Sequence, residues 1–158
     1  MMREDLLFGA AGLWFVWRLW NLALLDLRCG LLYDRLILIV ALSAVYPWLL
    51  GINSLDDMLA GGLAGSGLLW GLRWGSHGGM GLGDVKLAGA MGLWLGLKLM
   101  AVALVLAFLL GGIVAAGLMV WRGYSCTSKI PFGPFLVFGG CFSYWCGMEC
   151  WQWYERLL

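Results

Sequence analysis

The chain is written in long apolar blocks separated by short polar or glycine-rich breaks. The breaks fall at Asn53 to Asp57, Trp74 to Gly83 and Arg122 to Lys129. A helix that crosses a bilayer needs about 20 predominantly apolar residues. On that measure the blocks predict spans near 6–25, 36–52, 57–74, 85–97, 99–121 and 132–151. The expected fold is all-α: a polytopic membrane helical bundle of about six transmembrane helices, with residues 1–158 forming one integral-membrane domain. The fourth block is short. At 1.5 Å per residue it reaches about 20 Å, against a hydrocarbon core of roughly 30 Å. It is expected to be half-buried among its neighbours or partly unwound, with Lys98 marking the turn into the fifth block. Pro131 and Pro134 stand where the last helix opens, the position at which a missing amide proton costs least.

Composition strengthens this picture. Hydrophobic residues make up 63% of the chain and charged residues 12%, against about 45–50% and about 25% in soluble domains. The first block is expected to be retained. Glu4 and Asp5 follow Arg3, Arg18 interrupts the run, and no small-residue cleavage site follows. The 11 Trp and 5 Tyr suit aromatic belts at the two membrane interfaces. A net charge of +1 gives no reason to expect nucleic acid. No C-x-x-C pair occurs among Cys29, Cys126, Cys141, Cys146 and Cys150, so they read as small packing residues and not as a zinc site.

Charge also sets an orientation. Alternating spans put Arg28, Arg35, Arg73, Lys86, Arg122 and Lys129 on one side, and Arg3, Lys98 and Arg156 on the other. The richer side is expected in the cytoplasm, with both termini outside. Asp26 and Asp84 then share the cytoplasmic face, while Asp56 and Asp57 fall on the opposite one.

An ionisable residue at membrane depth is costly and is read first as functional. Asp84 lies in Gly81-Leu82-Gly83-Asp84-Val85-Lys86, after a glycine-rich run, where glycine permits positive φ and close backbone approach. It is expected at the N-terminus of the fourth helix, either as a cap alone or as a reactive acid. Asp26 ends the first block, either as an interfacial charge balanced by Arg28 or as the second acid. Paired, the two supply what peptide hydrolysis needs: one carboxylate to activate water and one carboxylic acid to protonate the carbonyl oxygen. Close carboxylates share one proton and titrate as a unit, so the two roles belong to the pair. Asp34 is a third acid, with a cap of the second helix as its other reading. His77 stands alone as a metal or catalytic candidate. Ser66 sits in Gly61-Gly62-Leu63-Ala64-Gly65-Ser66-Gly67, a run that reads as close helix packing. The competing class is a non-enzymatic bundle, a small transporter or assembly factor, because buried acids also line ion pathways.

These residues resemble a known family. Met80-Gly81-Leu82-Gly83-Asp84-Val85-Lys86-Leu87 is similar to the second catalytic motif of the type IV prepilin peptidases, aspartyl proteases with a Gly-x-Gly-Asp signature. Leu25-Asp26-Leu27-Arg28 with Asp34 is similar to their first motif. Lys129-Ile130-Pro131-Phe132-Gly133-Pro134-Phe135-Leu136 is similar to the segment that opens their last helix. The resemblance implies an intramembrane endopeptidase with Asp26 and Asp84 catalytic and no cofactor or metal. Gly81, Gly83, Asp34, Lys86, Pro131, Gly133 and Pro134 would shape the site or contact substrate. It implies cleavage of a short basic leader, after a glycine, from pilin-like precursors at the cytoplasmic face of the inner membrane; a preflagellin-type substrate would use the same chemistry. The chain departs from the pattern twice. It carries no cytoplasmic insertion with two C-x-x-C pairs, so N-methyl transfer is not expected, and Tyr33 stands where the family often has proline.

Overall fold

In a computed structural model of the chain, residues 2–29, 33–76, 80–122 and 131–157 are described. Among them the secondary structure is helical: α1 (Met2–Cys29), α2 (Asp34–Ser43), α3 (Val45–Leu49), α4 (Leu55–Gly75), α5 (Leu82–Arg122) and α6 (Gly133–Glu155). The all-α expectation holds. Several boundaries differ from the sequence reading. The first helix runs from Met2 to Cys29 and not 6–25. The block at 36–52 is two helices, because the chain bends between Ser43 and Val45 ahead of Pro47. The helix expected from 85 opens three residues earlier, at Leu82. The expected turn at Lys98 falls two residues earlier, at Gly96 (φ 77°, ψ 177°), where the two halves of α5 meet. Leu82–Val120, mean hydropathy 2.7, is the one described helix that is long and apolar enough by itself to cross a membrane.

Contacts fix the directions of the segments. α1 runs antiparallel to α6, with Gly12 at Tyr144, Leu19 at Gly140 and Asp26 at Gly133. α4 runs antiparallel to the first half of α5, with Gly65 at Ala88 and Gly61 at Gly92 and Gly96. α6 runs antiparallel to the second half of α5, with Gly139 at Ala103 and Gly147 at Leu99. One end of the bundle therefore gathers Asp26, Asp84 and Gly133, and the other gathers Asp57, Gly96 and Gly147.

Small residues permit these approaches. A Cβ on Gly61 would strike the Gly92 carbonyl, and one on Gly92 would strike the Gly61 backbone. Glycines four residues apart let helix backbones touch, as Gly61 and Gly65 do here. Ser66 serves the same packing: its hydroxyl donates back to the Gly62 carbonyl (2.6 Å) and lies against Gly89. The core between α1, α5 and α6 is filled by Phe15, Leu19, Leu22, Leu87, Met91 and Leu136. Phe15 stacks on Trp94 with centroids 4.2 Å apart. Trp94 is buried, so it belongs to the core and not to an interfacial belt.

The break in α5 is capped by the first turn of α4 and the segment before it. Asn53 Nδ2 donates to the Trp94 carbonyl (3.0 Å), and the Leu97 amide donates to Asp57 Oδ1 (3.1 Å). These are the backbone groups a helix interruption would leave without partners. Gly96 adopts a conformation open essentially to glycine, and a Cβ there would overlap the Asp57 carboxylate. Replacing Gly96 with Ala is therefore expected to cost about 1–3 kcal/mol from backbone strain alone, read as a lower unfolding midpoint in detergent. An unchanged midpoint would show that the break is not locked by this residue.

Candidate active site

Asp26 and Asp84 come from different helices and meet at the start of a third. Asp26 lies in the last turn of α1, and Asp84 in the first turn of α5. Both are buried, each 7% exposed. A Cβ added to Gly133, the first residue of α6, would overlap Asp26 Oδ2 and lie 3.4 Å from Asp84 Oδ1. The Asp26 carboxylate thus occupies the space a side chain at 133 would need, with Asp84 beside it, close enough for the two acids to repel each other.

Each acid is held by a backbone amide at a helix start. Asp84 accepts from the amide of Gly81. Gly81 immediately precedes α5 and Asp84 is the third residue of that helix, so the carboxylate reaches back as in one half of a capping box. Asp84 is thus more than an N-cap. Asp26 accepts from the amide of Gly133. A carboxylate near the C-terminus of its own helix is poorly placed against the helix dipole; the N-terminus of α6, with its free amides and partial positive charge, compensates. Even so, Asp26 Oδ2 is buried with no hydrogen-bond partner among the described residues. An unsatisfied buried acceptor is expensive, and here it lies against Gly133 at the start of α6.

The other candidates divide. Gly81 and Gly83 were read as a source of positive φ, but neither adopts it; among the described glycines only Gly51 and Gly96 do. Gly81 acts by proximity: a Cβ there would sit 3.2 Å from Asp84 Oδ2. Gly83 lies in the first turn of α5, between them. Pro131 is exposed just ahead of α6, and Pro134 occupies its first turn beside Gly133. Asp34 does not join the buried pair. It opens α2 without a side-chain cap and forms an exposed ion pair with Lys86 (2.7 Å). That pair ties α2 to α5 two residues beyond Asp84. Arg73, read from sequence only as an orienting charge, donates to the Met80 carbonyl and fastens the end of α4 to the segment leading into Gly81. Its signal was a lone arginine in the last turn of α4, seven residues before Met80. Asp57 lies at the opposite end, as expected. His77, Cys126, Lys129, and the side chains of Arg28 and Cys29 lie outside the described residues. No group of three or more His, Cys, Asp or Glu among the described residues could hold a metal ion.

A helical bundle that joins two buried aspartates across a helix-start glycine has the constellation of an aspartyl hydrolase. Residues 8–116, which include both acids, match the model of the type IV leader peptidase family; the chain belongs to that family. It is 36% identical over 150 residues to a prepilin leader peptidase/N-methyltransferase of Aeromonas hydrophila, an alignment covering 91% of this chain and 52% of that protein. The protein of that name from Escherichia coli (strain K12) is 36% identical over 137 residues, 83% of this chain and 60% of its own length. The one from Pseudomonas aeruginosa is 32% identical over 139 residues, 84% and 48%. The chain spans about half the length of these relatives. No solved structure matches it.

The Lys86–Asp34 pair is exposed on both sides, and exposed pairs contribute about 0–1 kcal/mol. Asp34→Asn is accordingly expected to leave the unfolding midpoint in detergent almost unchanged. A large drop would mean that the α2–α5 connection carries more of the fold than one surface ion pair.

Proposed function

We propose that this chain is an intramembrane aspartyl endopeptidase that removes the short basic leader from pilin-like precursors. The observation that carries the proposal is the convergence of Asp26 and Asp84 on Gly133. Family membership supports it, as do the names of the relatives.

The bilayer reading rests on two features. The outward face of α1 presents Leu13, Trp17, Trp20, Leu24 and Leu27, all at least 40% exposed, and α4 presents Leu63 and Trp70. Water-soluble proteins rarely leave such continuous apolar surface uncovered. The second feature is length. α5 has 41 residues, roughly 60 Å if straight and twice the hydrocarbon core of about 30 Å. Its capped break at Gly96 divides it into a short first piece of about 20 Å and a second piece long enough to span. With α1, α2–α3, α4 and α6, the segments form six spans of an inner-membrane protein. The acids lie at the cytoplasmic end, and both chain ends lie outside.

In this mechanism one carboxylate takes a proton from water while the other, protonated, gives a proton to the scissile carbonyl oxygen. The resulting tetrahedral carbon collapses as the amine leaves with a proton from the pair. No cofactor enters, because the pair is both acid and base. Gly133, having no side chain, lets the start of α6 approach both acids. N-methyl transfer, the second activity in the relatives' names, is outside the proposal.

The test is leader cleavage in membranes, followed as a size shift of a pilin-like precursor. Asp26→Asn and Asp84→Asn are each expected to lower the rate by about 100- to 10,000-fold while the protein stays inserted. Substantial cleavage by either variant would remove that residue from the chemistry. Gly133→Ala is expected to lose activity as well, since its methyl group would strike the Asp26 carboxylate; a fully active Ala variant would show that this close approach is not needed. The rate should also follow a bell in pH, because the reactive form carries one proton on the pair. A rate that rises to a plateau with no falling limb would contradict a shared proton.

A further inference from the structure

One peptide group lies between Arg73 and Asp84. The Arg73 guanidinium donates to the Met80 carbonyl, and the Asp84 carboxylate accepts from the Gly81 amide. That carbonyl and that amide are the two ends of a single peptide unit, the one joining Met80 to Gly81. The unit is trans, so its C=O and its N–H point opposite ways. A cation at the oxygen and a carboxylate at the hydrogen therefore both lie along the peptide dipole, each at the end that favours it. Hydrogen bonds linked in this way polarise one another: the charge on the carbonyl makes the amide a stronger donor.

We propose that Arg73 is a positioning residue for the aspartate pair, acting through the Met80–Gly81 peptide to aim and strengthen the amide that holds the Asp84 carboxylate. Its effect on rate rests on the peptidase reading; the linkage itself does not. Two further observations support it. The first is what the amide would be without Arg73. Gly81 belongs to a run that holds Gly75, Gly78, Gly79 and Gly83, and glycine loses more conformational freedom on ordering than any other residue. α5 begins only at Leu82, so the helix does not fix the peptide before it. The second is the placement of Arg73. It stands in the last turn of α4, and Gly61 and Gly65 clamp α4 against the half of α5 that carries Asp84. The guanidinium and the acid thus come from adjoining ends of one antiparallel helix pair. The Met80 side chain packs against the core on the other side of the peptide. Lys86, the cation closest to Asp84 in sequence, pairs with Asp34 at the surface (2.7 Å) and leaves the amide to Arg73.

A simple tie between α4 and the loop would use the same hydrogen bond, and two measurements separate the two roles. Arg73→Gln keeps a donor without the charge; Arg73→Lys keeps the charge. Arg73 is half-buried, so neither variant opens the core. The first measurement is the unfolding midpoint of the full chain in detergent, in alkaline buffer where carboxylates are charged. Arg73→Gln is expected to lower it, and to lower it clearly less when Asp84→Asn is already present, because groups that share a partner do not act additively. Equal drops in the two backgrounds would reduce Arg73 to a tie and overturn the inference. The second is steady-state cleavage of a pilin-like precursor. Arg73→Gln is expected to lower kcat about 10- to 100-fold with KM little changed, the scale on which slight misplacement of a reacting group acts. Arg73→Lys should recover most of that loss, since one carbonyl needs one cationic donor. A loss that Lys does not recover, or a change confined to KM, would overturn the positioning role. Coupled midpoints in a native chain that cleaves no precursor would sink the peptidase reading and leave the Arg73–Asp84 linkage standing.

Discussion

Everything in this molecule turns on bringing two carboxylates out of water and against each other. Asp26 and Asp84 repel, and burial penalises both when charged. The bundle offsets this with two helix N-termini: the amide of Gly81 at the start of α5 and the amide of Gly133 at the start of α6. Among the described residues the basic side chain nearest to Asp84 in sequence, Lys86, is paired with Asp34 at the surface. A buried carboxylate paired to lysine would be locked in its charged form; amides hold the position of the group while leaving its proton exchangeable. Under the proposed mechanism, that choice of partner suits a pair that has to move protons.

Close approach of backbones is the second requirement, and the glycines supply it. Gly133 could not carry a side chain without displacing the acids, and Gly61 and Gly92 could not without separating α4 from α5. The α4–α5 crossing sets the position of α5, and through it of Asp84. Arg73 repeats the connection at the loop by binding the Met80 carbonyl. Thus the geometry of two carboxylates depends on contacts that extend to the opposite end of the bundle, at the capped break at Gly96.

Much of this was legible in the sequence, and the reasons are physical. Asp26 and Asp84 stood out because a charge in an apolar block needs an explanation, and the charge counts placed them at one end before any coordinates. The helix at 57–74 was clear from its apolar run; its cap, Ser54, whose hydroxyl accepts from the Asp57 amide (3.2 Å), lay inside what read only as a polar break. The break at Gly96 was displaced to Lys98 because a charge is the visible punctuation, whereas φ 77° at one glycine among many carries no sequence mark. The division of 36–52 was missed because Pro47 lies in the first turn of α3, where proline is tolerated and interrupts nothing by itself. Asp57 looked like one more interfacial acid. Its role depends on a partner forty residues away in sequence, the Leu97 amide, and no local pattern announces that pairing.

The break at Gly96 also explains why so short a chain can hold both a site and its support. The first half of α5 rises from Asp84 to Trp94, and the second returns to the same end, where Gly111 packs on Phe132 and Phe135. One continuous stretch therefore contributes an acid at its start and, near its other end, a packing surface for the residues that open α6. Without the caps from Asn53 and Asp57 that reversal would strand backbone groups in an apolar interior, where each costs several kcal/mol in lipid. The polar loop farthest from the acids is what makes the doubled helix affordable. The bundle's two ends accordingly divide the work: one turns the chain at Gly96, and the other keeps two carboxylates together against a helix start that only glycine lets come so close.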